Sequence, residues 1–308
     1  MLKAAAVLAL ALAAAAPAAA QSNAAQSEAA QSDAAWVRPE VQRLVQPSNA
    51  KRLEALRRLL DEKGVRYEIH EFPGSEESRG VPGHNLVITL GDGPKDIVLG
   101  AHYDAEALDS GQLVEGVVDN AASVVALVRA AESLAGRDNQ HRIRIVFFDQ
   151  EELGLLGSEA WLKSQDRSRI AAAVNFDVVG YGDTVIYGGL KSDTAGVVRE
   201  AVQTVCARKA IDCIRFQSYP PSDDRSFAAA GVPVVSIGLQ PAADAHQMWL
   251  LMHKGPQSGL AQGVTPRVFS LIHTPADNMG ALEPSAVVLA WEMAVDVVIE
   301  LDEKLAPR

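Results

Sequence analysis

Imidazole and carboxylate side chains recur in five segments of this sequence, each at the end of a predicted strand or the start of a predicted helix. They are His102 and Asp104, Asp119, Glu151 and Glu152, Asp177, and His273. Both side-chain types are ordinary ligands of Zn²⁺. Carboxylates crowded at one place are electrostatically costly unless cations neutralise them. The pattern therefore predicts a metal centre.

Each of these residues, taken singly, also suits a role without chemistry. Asp119 precedes a predicted helix and could be its N-cap. Glu151 and Glu152 could form a solvated first helical turn, where the helix dipole favours acids. A single histidine at a strand end is more often structural than a ligand. It is improbable that five separate segments all place acids or imidazoles at corresponding positions by chance. The full set therefore favours the metal centre.

Strands alternate with helices along most of the chain. Runs of β-branched or aromatic residues predict strands at 65–70, 85–90, 96–101, 143–148, 173–176, 184–187 and 232–237. Apolar residues at helical spacing predict helices at 52–60, 121–134, 194–207 and 284–301. The alternation predicts an α/β fold with a mixed, mainly parallel central sheet flanked by helices. Ligands bind beyond the carboxyl ends of strands in such sheets, which is where the candidate residues fall.

Two segments depart from the regular alternation. The Gly-Asp-Gly-Pro sequence at 91–94 is typical of a turn, and we expect it to join strands 85–90 and 96–101 as an antiparallel hairpin. Residues 239–272 combine Pro, Gly, Gln, His, Met and Trp without the expected rhythm, and they predict a long loop.

The amino terminus has the composition of an export signal. Residues 1–20 hold one lysine, an apolar run and a small-residue ending, which predicts a signal peptide cleaved after Ala20. An uncleaved membrane anchor is the alternative, although the run is short for a spanning helix. Residues 21–35 are nearly all Ala, Gln and Ser and predict a disordered linker. Residues 36–308 then form a single domain, and the protein is expected in the periplasm or the medium, free of the membrane.

The charge of the chain narrows its possible binding partners. The formal net charge is -11, without a basic cluster, and nucleic-acid binding is not expected.

Cys206 and Cys213 are the two cysteines of the chain. In an oxidising compartment they favour a local disulfide between a helix end and the next strand. Zinc ligation is the alternative, but two thiols without a nearby histidine supply too few ligands.

The metal-pattern residues resemble those of the M28 zinc exopeptidases, a family that includes bacterial secreted aminopeptidases. The matching motifs are His102-Tyr103-Asp104, residues 116–120 with the small-residue helix after them, residues 148–154, Asn175-Phe176-Asp177, and His273-Thr274-Pro275. Any one motif is weak, but their order and spacing make the set specific. The resemblance implies a sheet of the zinc exopeptidase (phosphorylase/hydrolase-like) type and two Zn²⁺ ions per chain. The implied ligands are His102 and Asp177 for one ion, Glu152 and His273 for the other, and Asp119 as a bridge.

The resemblance also implies a reaction. Glu151 would be the general base of an aminopeptidase that acts on peptides with a free N-terminus. Paired metal ions lower the pKa of a shared water and polarise the scissile carbonyl. Asp104 stands two residues after His102 and is placed to fix the tautomer of that imidazole. A cis peptide bond between Asp119 and Asn120 is a further family feature.

Two positions depart from the family pattern. Asp224 stands where related chains often carry a histidine, and Ile272 where some carry a tyrosine. The donor to the transition-state oxyanion is therefore open among Arg225, His246, His253 and the metal alone.

Other functions remain as alternatives. A glutaminyl cyclase, which keeps one zinc, tends to carry a tryptophan before the last histidine, and Ile272 argues against it. A carboxypeptidase or another two-metal amidohydrolase would use the same centre. A non-catalytic binding module usually loses ligands or the base, whereas this chain has the full set.

Residues 239–272 are expected beside the metal site because the segment ends at His273. Met248, Trp249, Leu250 and Met252, with His246 and His253, suit a flap that sets substrate preference. The alternative is a loop that packs over the sheet.

Overall fold

Strands and helices alternate through the three parts of the chain that the computed structural model describes, residues 34–190, 195–255 and 265–306. The strands are β1 (Glu68–Phe72), β2 (Gly83–Leu90), β3 (Asp96–His102), β4 (Arg142–Phe148), β5 (Ile170–Phe176), β6 (Thr184–Gly188), β7 (Cys213–Phe216) and β8 (Val234–Gln240). The helices are α1 (Val37–Leu44), α2 (Asn49–Glu62), α3 (Ala122–Leu134), α4 (Leu156–Ser164), α5 (Gly196–Lys209), α6 (Asp224–Ala229), α7 (Ala242–Lys254), α8 (Val268–Leu271) and α9 (Pro284–Leu305).

The strands form one sheet in the order β1-β2-β4-β3-β5-β8-β6-β7. The pairs β4–β3, β3–β5, β5–β8 and β6–β7 are parallel, whereas the pairs β1–β2, β2–β4 and β6–β8 are antiparallel. The predicted mixed, mainly parallel sheet is confirmed. His102 of β3 lies opposite Phe148 of β4, and Gly100 lies opposite Asn175 of β5. The residues that follow these strands therefore meet at one edge of the sheet.

The predicted hairpin between β2 and β3 is wrong, because β4 lies between these two strands. The turn at 91–94 instead carries the chain across the segment that enters β4. A Cβ atom at Gly93 would stand 2.4 Å from the carbonyl oxygen of Gln140, so the crossing requires glycine there. All seven residues of β3 are buried, which suits a strand with parallel neighbours on both sides.

Helices cover both faces of the sheet. On one face, α1, α2, α3, α5 and α9 enclose the main core, to which they contribute side chains such as Leu56, Val124 and Val297. On the other face, α4 and α6 pack on the sheet through Trp161 and Phe227, which contact Phe148. α1 was not predicted from the sequence. The site described below lies at the edge between these layers.

The prediction of a loop over residues 239–272 is wrong for much of that segment. β8 extends to Gln240, α7 occupies Ala242–Lys254, and α8 follows later in the chain. Helix-forming Ala, Gln, Leu and Met dominate this stretch after Pro241, and Gly255, with a φ of 72°, ends the helix. Residues 256–264 lie outside the described residues.

The predicted disulfide is confirmed. Cys206 of α5 and Cys213 of β7 are bonded, with their Cα atoms 6.2 Å apart. The predicted signal peptide and nearly all of the predicted linker lie outside the described residues. Within the described ranges, no helix combines the length and apolar character needed to cross a bilayer.

Candidate metal centre

His102 and Asp104 leave the carboxyl end of β3 as predicted. Both are buried. The Asp104 carboxylate accepts hydrogen bonds from the backbone N–H groups of Glu151 (3.1 Å) and Glu152 (3.2 Å). One of its oxygens also lies 3.5 Å from Nδ1 of His102. Asp104 therefore fixes the backbone that carries both glutamates and faces the imidazole it was expected to orient.

Asp119 lies in a wide helical turn, Val117–Ala121, directly before α3. The buried carboxylate of Asp277 shapes this turn, because it accepts hydrogen bonds from the N–H groups of Val117 (3.0 Å), Val118 (2.7 Å) and Asp119 (3.0 Å). The peptide bond between Asp119 and Asn120 is cis, as the family resemblance implied. Sequence reasoning assigned no role to Asp277, although it stands in the same motif as His273.

Asn120 ties the Asp119 turn to the end of β5. Its side-chain amide donates to the carbonyl of Phe176 (3.0 Å), and its side-chain oxygen accepts from the N–H of Val178 (3.3 Å). These two bonds bracket Asp177 in the sequence. The bracket holds the Asp177 carboxylate near Asp119.

The other four predicted ligands lie around the Asp119 carboxylate. One Asp119 oxygen lies 3.1 Å from Nε2 of His102, and the other lies 3.1 Å from Nε2 of His273. The His102 nitrogen also lies 3.5 Å from an Asp177 oxygen, and the His273 nitrogen lies 3.2 Å from a Glu152 oxygen. The arrangement is two imidazole–carboxylate pairs that share Asp119.

Backbone conformation is unusual at three of the segments that supply these side chains. Gln150, Val178 and His273 have φ values of 58°, 62° and 58°, in the left-handed region that non-glycine residues seldom adopt. They are respectively the residue before Glu151, the residue after Asp177, and a predicted ligand itself. Such conformations concentrate at functional sites, where the surrounding structure enforces them.

A buried cation lies beneath the centre. Arg52 of α2 is fully buried and donates to the carbonyls of Tyr103 (2.6 Å), Glu115 (2.7 Å) and Gly116 (3.2 Å). Burial lowers its pKa to about 10, against the opposing effect of nearby carboxylates, so the guanidinium stays charged at neutral pH. Arg52 thus joins the end of β3 to the loop before Asp119 and partly balances the acids. Sequence reasoning identified it only as a helix residue.

The charges of the ligands show that the centre suits cations. Burial raises the pKa of Glu152 to about 7. Hydrogen bonds to Asp119 and Glu152 raise the pKa of His273 to about 11. One oxygen of Glu152 and one of Asp177 are buried without a hydrogen-bond partner among the described residues. His102, Asp119 and Glu152 also bring ligand atoms within 4.8 Å of one another. The donor set fits Zn²⁺, which takes imidazole and carboxylate ligands.

Glu151 stands beside this set and opens on a small pocket. Burial raises the pKa of Glu151 well above its ordinary value. The pocket has a volume of about 130 Å³. Its lining combines acids with apolar or aromatic residues, among them Val178, Ile186, Tyr219, Met248, Phe269 and Ile272.

The structure does not bring the three suggested oxyanion donors into this pocket. Arg225 donates to the carbonyl of Tyr219 (3.0 Å) on the outer side. His253 accepts from the N–H of Gln217 (2.8 Å), and His246 contacts the carbonyl of Ala242.

A further acid, Asp223, is fully buried, and burial raises its pKa to about 7.

Two of the predicted flap residues, Met248 and Trp249, have different surroundings. Met248 is buried and lines the pocket, where the Gln240 amide donates to its sulfur (3.0 Å). Trp249 instead stacks on His253, and its Nε1 donates to the carbonyl of Arg215 in β7 (3.1 Å). One residue faces the pocket and the other supports α7 on the sheet.

Fold and centre together define an α/β protein with a candidate metal site at the carboxyl edge of a mixed sheet. Residues 85–298 match the model of peptidase family M28, and the chain belongs to that family. The predicted family is therefore confirmed, and the family implies zinc as the metal.

The individual relatives and solved structures share only a modest sequence identity with this chain. The chain is 26% identical over 181 residues to leupeptin-inactivating enzyme 1 of Streptomyces exfoliatus, which covers 57% of this chain and 39% of the relative. The solved zinc aminopeptidase BSAP of Bacillus subtilis has a TM-score of 0.57 at 20% identity and covers 72% of this chain and 50% of its own. A glutaminyl cyclase of Porphyromonas gingivalis has a TM-score of 0.66 at 20% identity and covers 88% of this chain and 98% of its own. The chain thus spans half or less of the first two proteins, and the two structural likenesses concern the fold.

Proposed function

We propose that the protein is a two-zinc aminopeptidase that hydrolyses the N-terminal residue from peptides, with Glu151 as the general base. The observation that carries the proposal is the position of Asp119. Its two carboxylate oxygens each face a different imidazole at 3.1 Å, which suits a ligand shared by two ions.

The side chains divide into two ligand sets around that shared carboxylate. His102 and Asp177 would hold one ion, and Glu152 and His273 would hold the other. When bound, the two ions lower the pKa of a water and polarise the scissile carbonyl. Asp104 and Asp277 are positioning residues, because they hold the backbone on which the ligands stand.

Glu151 would take a proton from the attacking water and deliver it to the leaving amine. Proton transfer of this kind contributes about 10²- to 10⁴-fold in rate. Burial raises the pKa of Glu151, which strengthens it as an acceptor of the water proton. Its backbone is held by Asp104, so the carboxylate has a defined starting position.

The size of the pocket supports cleavage of one residue at a time. Its volume of about 130 Å³ is well below the roughly 300–1,000 Å³ of common small-molecule sites. A space of that size holds one side chain and excludes a longer stretch of peptide. The carboxylates that line it are suited to a free ammonium group.

A glutaminyl cyclase is the second candidate. It is favoured by the match in length, since the solved cyclase is covered over 98% of its chain. Ile272 before the last ligand and the complete set of five ligands favour the peptidase.

Metal content separates these two candidates. We expect two zinc ions per chain after saturation and removal of free metal, because the ligands form two sets around Asp119. Elemental analysis of protein purified without chelator would measure the ratio, with chelator-treated protein as the control. A plateau at one ion would favour the cyclase. Turnover of aminoacyl anilides, with N-blocked and Gln substrates compared, would then test the peptidase directly.

Single substitutions in α7 separate substrate recognition from support of the fold. Met248→Ala is expected to change the ratio of kcat/KM between a large and a small aminoacyl anilide by about tenfold, because it enlarges the pocket. Trp249→Ala is expected to leave that ranking in place and to lower Tm by several degrees, at about 2–4 °C per kcal/mol. Equal substrate rankings in both variants and wild type would mean that the specificity pocket lies elsewhere.

A further inference from the structure

A groove separates α4 from α6 on the face of the sheet opposite the main core. It has a volume of about 600 Å³. Leu155, Leu162 and Ala229 give it apolar walls, and Arg225 and Arg167 lie along it. Beneath it, the hydroxyls of Ser158 and Ser226 form a hydrogen bond of 2.8 Å that links the two helices.

Two hydrogen bonds connect residues at one end of the groove with residues of the candidate metal centre. Leu155 follows the predicted base closely, and its N–H donates to the carbonyl of Glu151 (2.8 Å). Arg225 lines the groove, and its guanidinium donates to the carbonyl of Tyr219, which lines the catalytic pocket.

The other end lies beyond the carboxyl end of α4, at Gln165 and Arg167. The nine residues of α4 span about 14 Å at 1.5 Å per residue. An extended peptide rises about 3.3 Å per residue, so roughly four residues would cover that distance. The groove therefore matches a short peptide segment in length.

The groove carries positive charge in a protein with a net charge of -11. Lys163 is already paired with Glu159 at 3.0 Å. Among the described residues, neither Arg167 nor Arg225 forms an ion pair with a carboxylate. Arg167 is exposed and available to an acidic partner, whereas Arg225 is half-buried and already donates to the carbonyl of Tyr219.

We propose that this groove binds the part of a peptide substrate that follows the scissile bond, and that it favours acidic side chains and the terminal carboxylate. The proposal rests on the proposed peptidase function. Arg225 lies near the start of the bound segment and Arg167 near its end. The preferred substrates are therefore short peptides, of about five residues in all, whose terminal carboxylate reaches Arg167.

The test compares three substrates that share the N-terminal residue whose anilide is cleaved fastest. They are that anilide, a five-residue peptide with a free terminal carboxylate, and the same peptide as its terminal amide. Wild-type protein is expected to cleave the carboxylate peptide several-fold more efficiently than the amide. Arg167→Glu is expected to lower the ratio of kcat/KM for the carboxylate peptide over the anilide by about tenfold.

Arg58→Glu is the matched charge control, because Arg58 is exposed on α2, on the opposite face of the sheet. Arg167→Gln provides a second, milder variant, and thermal melting reports whether each variant is folded. Equal ratios in wild type and both Arg167 variants, or an equal change in Arg58→Glu, would overturn the groove proposal. Failure of the wild type to cleave the anilide at all would instead count against the peptidase function.

Discussion

Glu151→Gln is expected to lower kcat by about 10²-fold or more while the protein keeps its zinc. The amide preserves the size and hydrogen-bonding capacity of the side chain but cannot accept the proton of the attacking water. Glu151 is not among the side chains that face Asp119 or the imidazoles in ligand pairs, so metal content is expected to stay near that of wild type. Turnover of an aminoacyl anilide and elemental analysis of the same sample measure both quantities.

Two further variants serve as comparisons for Glu151→Gln. Glu152→Gln changes the neighbouring glutamate and is expected to lose zinc as well as rate, because Glu152 lies 3.2 Å from His273. Glu303→Gln removes an exposed carboxylate of α9 and is expected to retain the wild-type rate. Activity of Glu151→Gln close to wild type would show that another group serves as the base.

Asp119→Asn is expected to have a still broader effect, with loss of zinc from both ligand sets and a fall in kcat/KM on the order of 10³-fold or more. An amide replaces one of two oxygens with a donor, which opposes a bound cation. Asp177→Asn is expected to affect only one set, because Asp177 lies near His102 and not near His273 among the observed ion pairs. Metal titration of both variants measures the difference.

Asp109→Asn is the matched control, since Asp109 is an exposed acid in the loop after β3. Wild-type zinc content in Asp119→Asn would contradict the bridging role. Equal losses in Asp119→Asn and Asp177→Asn would mean that the two sets do not bind independently.

The positions of the predicted ligands could be read from the sequence because strand ends are local features. Residues 97–101 are apolar and residues 173–176 are apolar except for Asn175, and the residues that follow these stretches are His102 and Asp177. Parallel neighbours bring such ends to one edge, so the gathering of the ligands followed from the predicted sheet. The disulfide could be predicted for a similar reason, since Cys206 and Cys213 are close in sequence.

Strand order and long-range contacts could not be read in the same way. The residues at 91–94 are typical of a hairpin turn. The insertion of β4 between β2 and β3 depends on the contact of Gly93 with the segment that enters β4, which only the folded chain shows. In α7, the polar and aromatic residues concealed a helix that packs through Ala245 and Met248. The roles of Arg52 and Asp277 consist of contacts with distant backbone groups, and no local pattern marks them.

The contact between Asp277 and the Asp119 turn also determines when the centre can form during synthesis. Val117 and Asp277 are 160 residues apart in the sequence. Contacts of such separation form only after the intervening chain is present and its closure entropy has been overcome. A ribosome-bound chain that ends before Asp277 would therefore contain His102 and Asp177 without the carboxylate that shapes the Asp119 turn. We therefore expect the complete centre to assemble late, after nearly the whole polypeptide has been released.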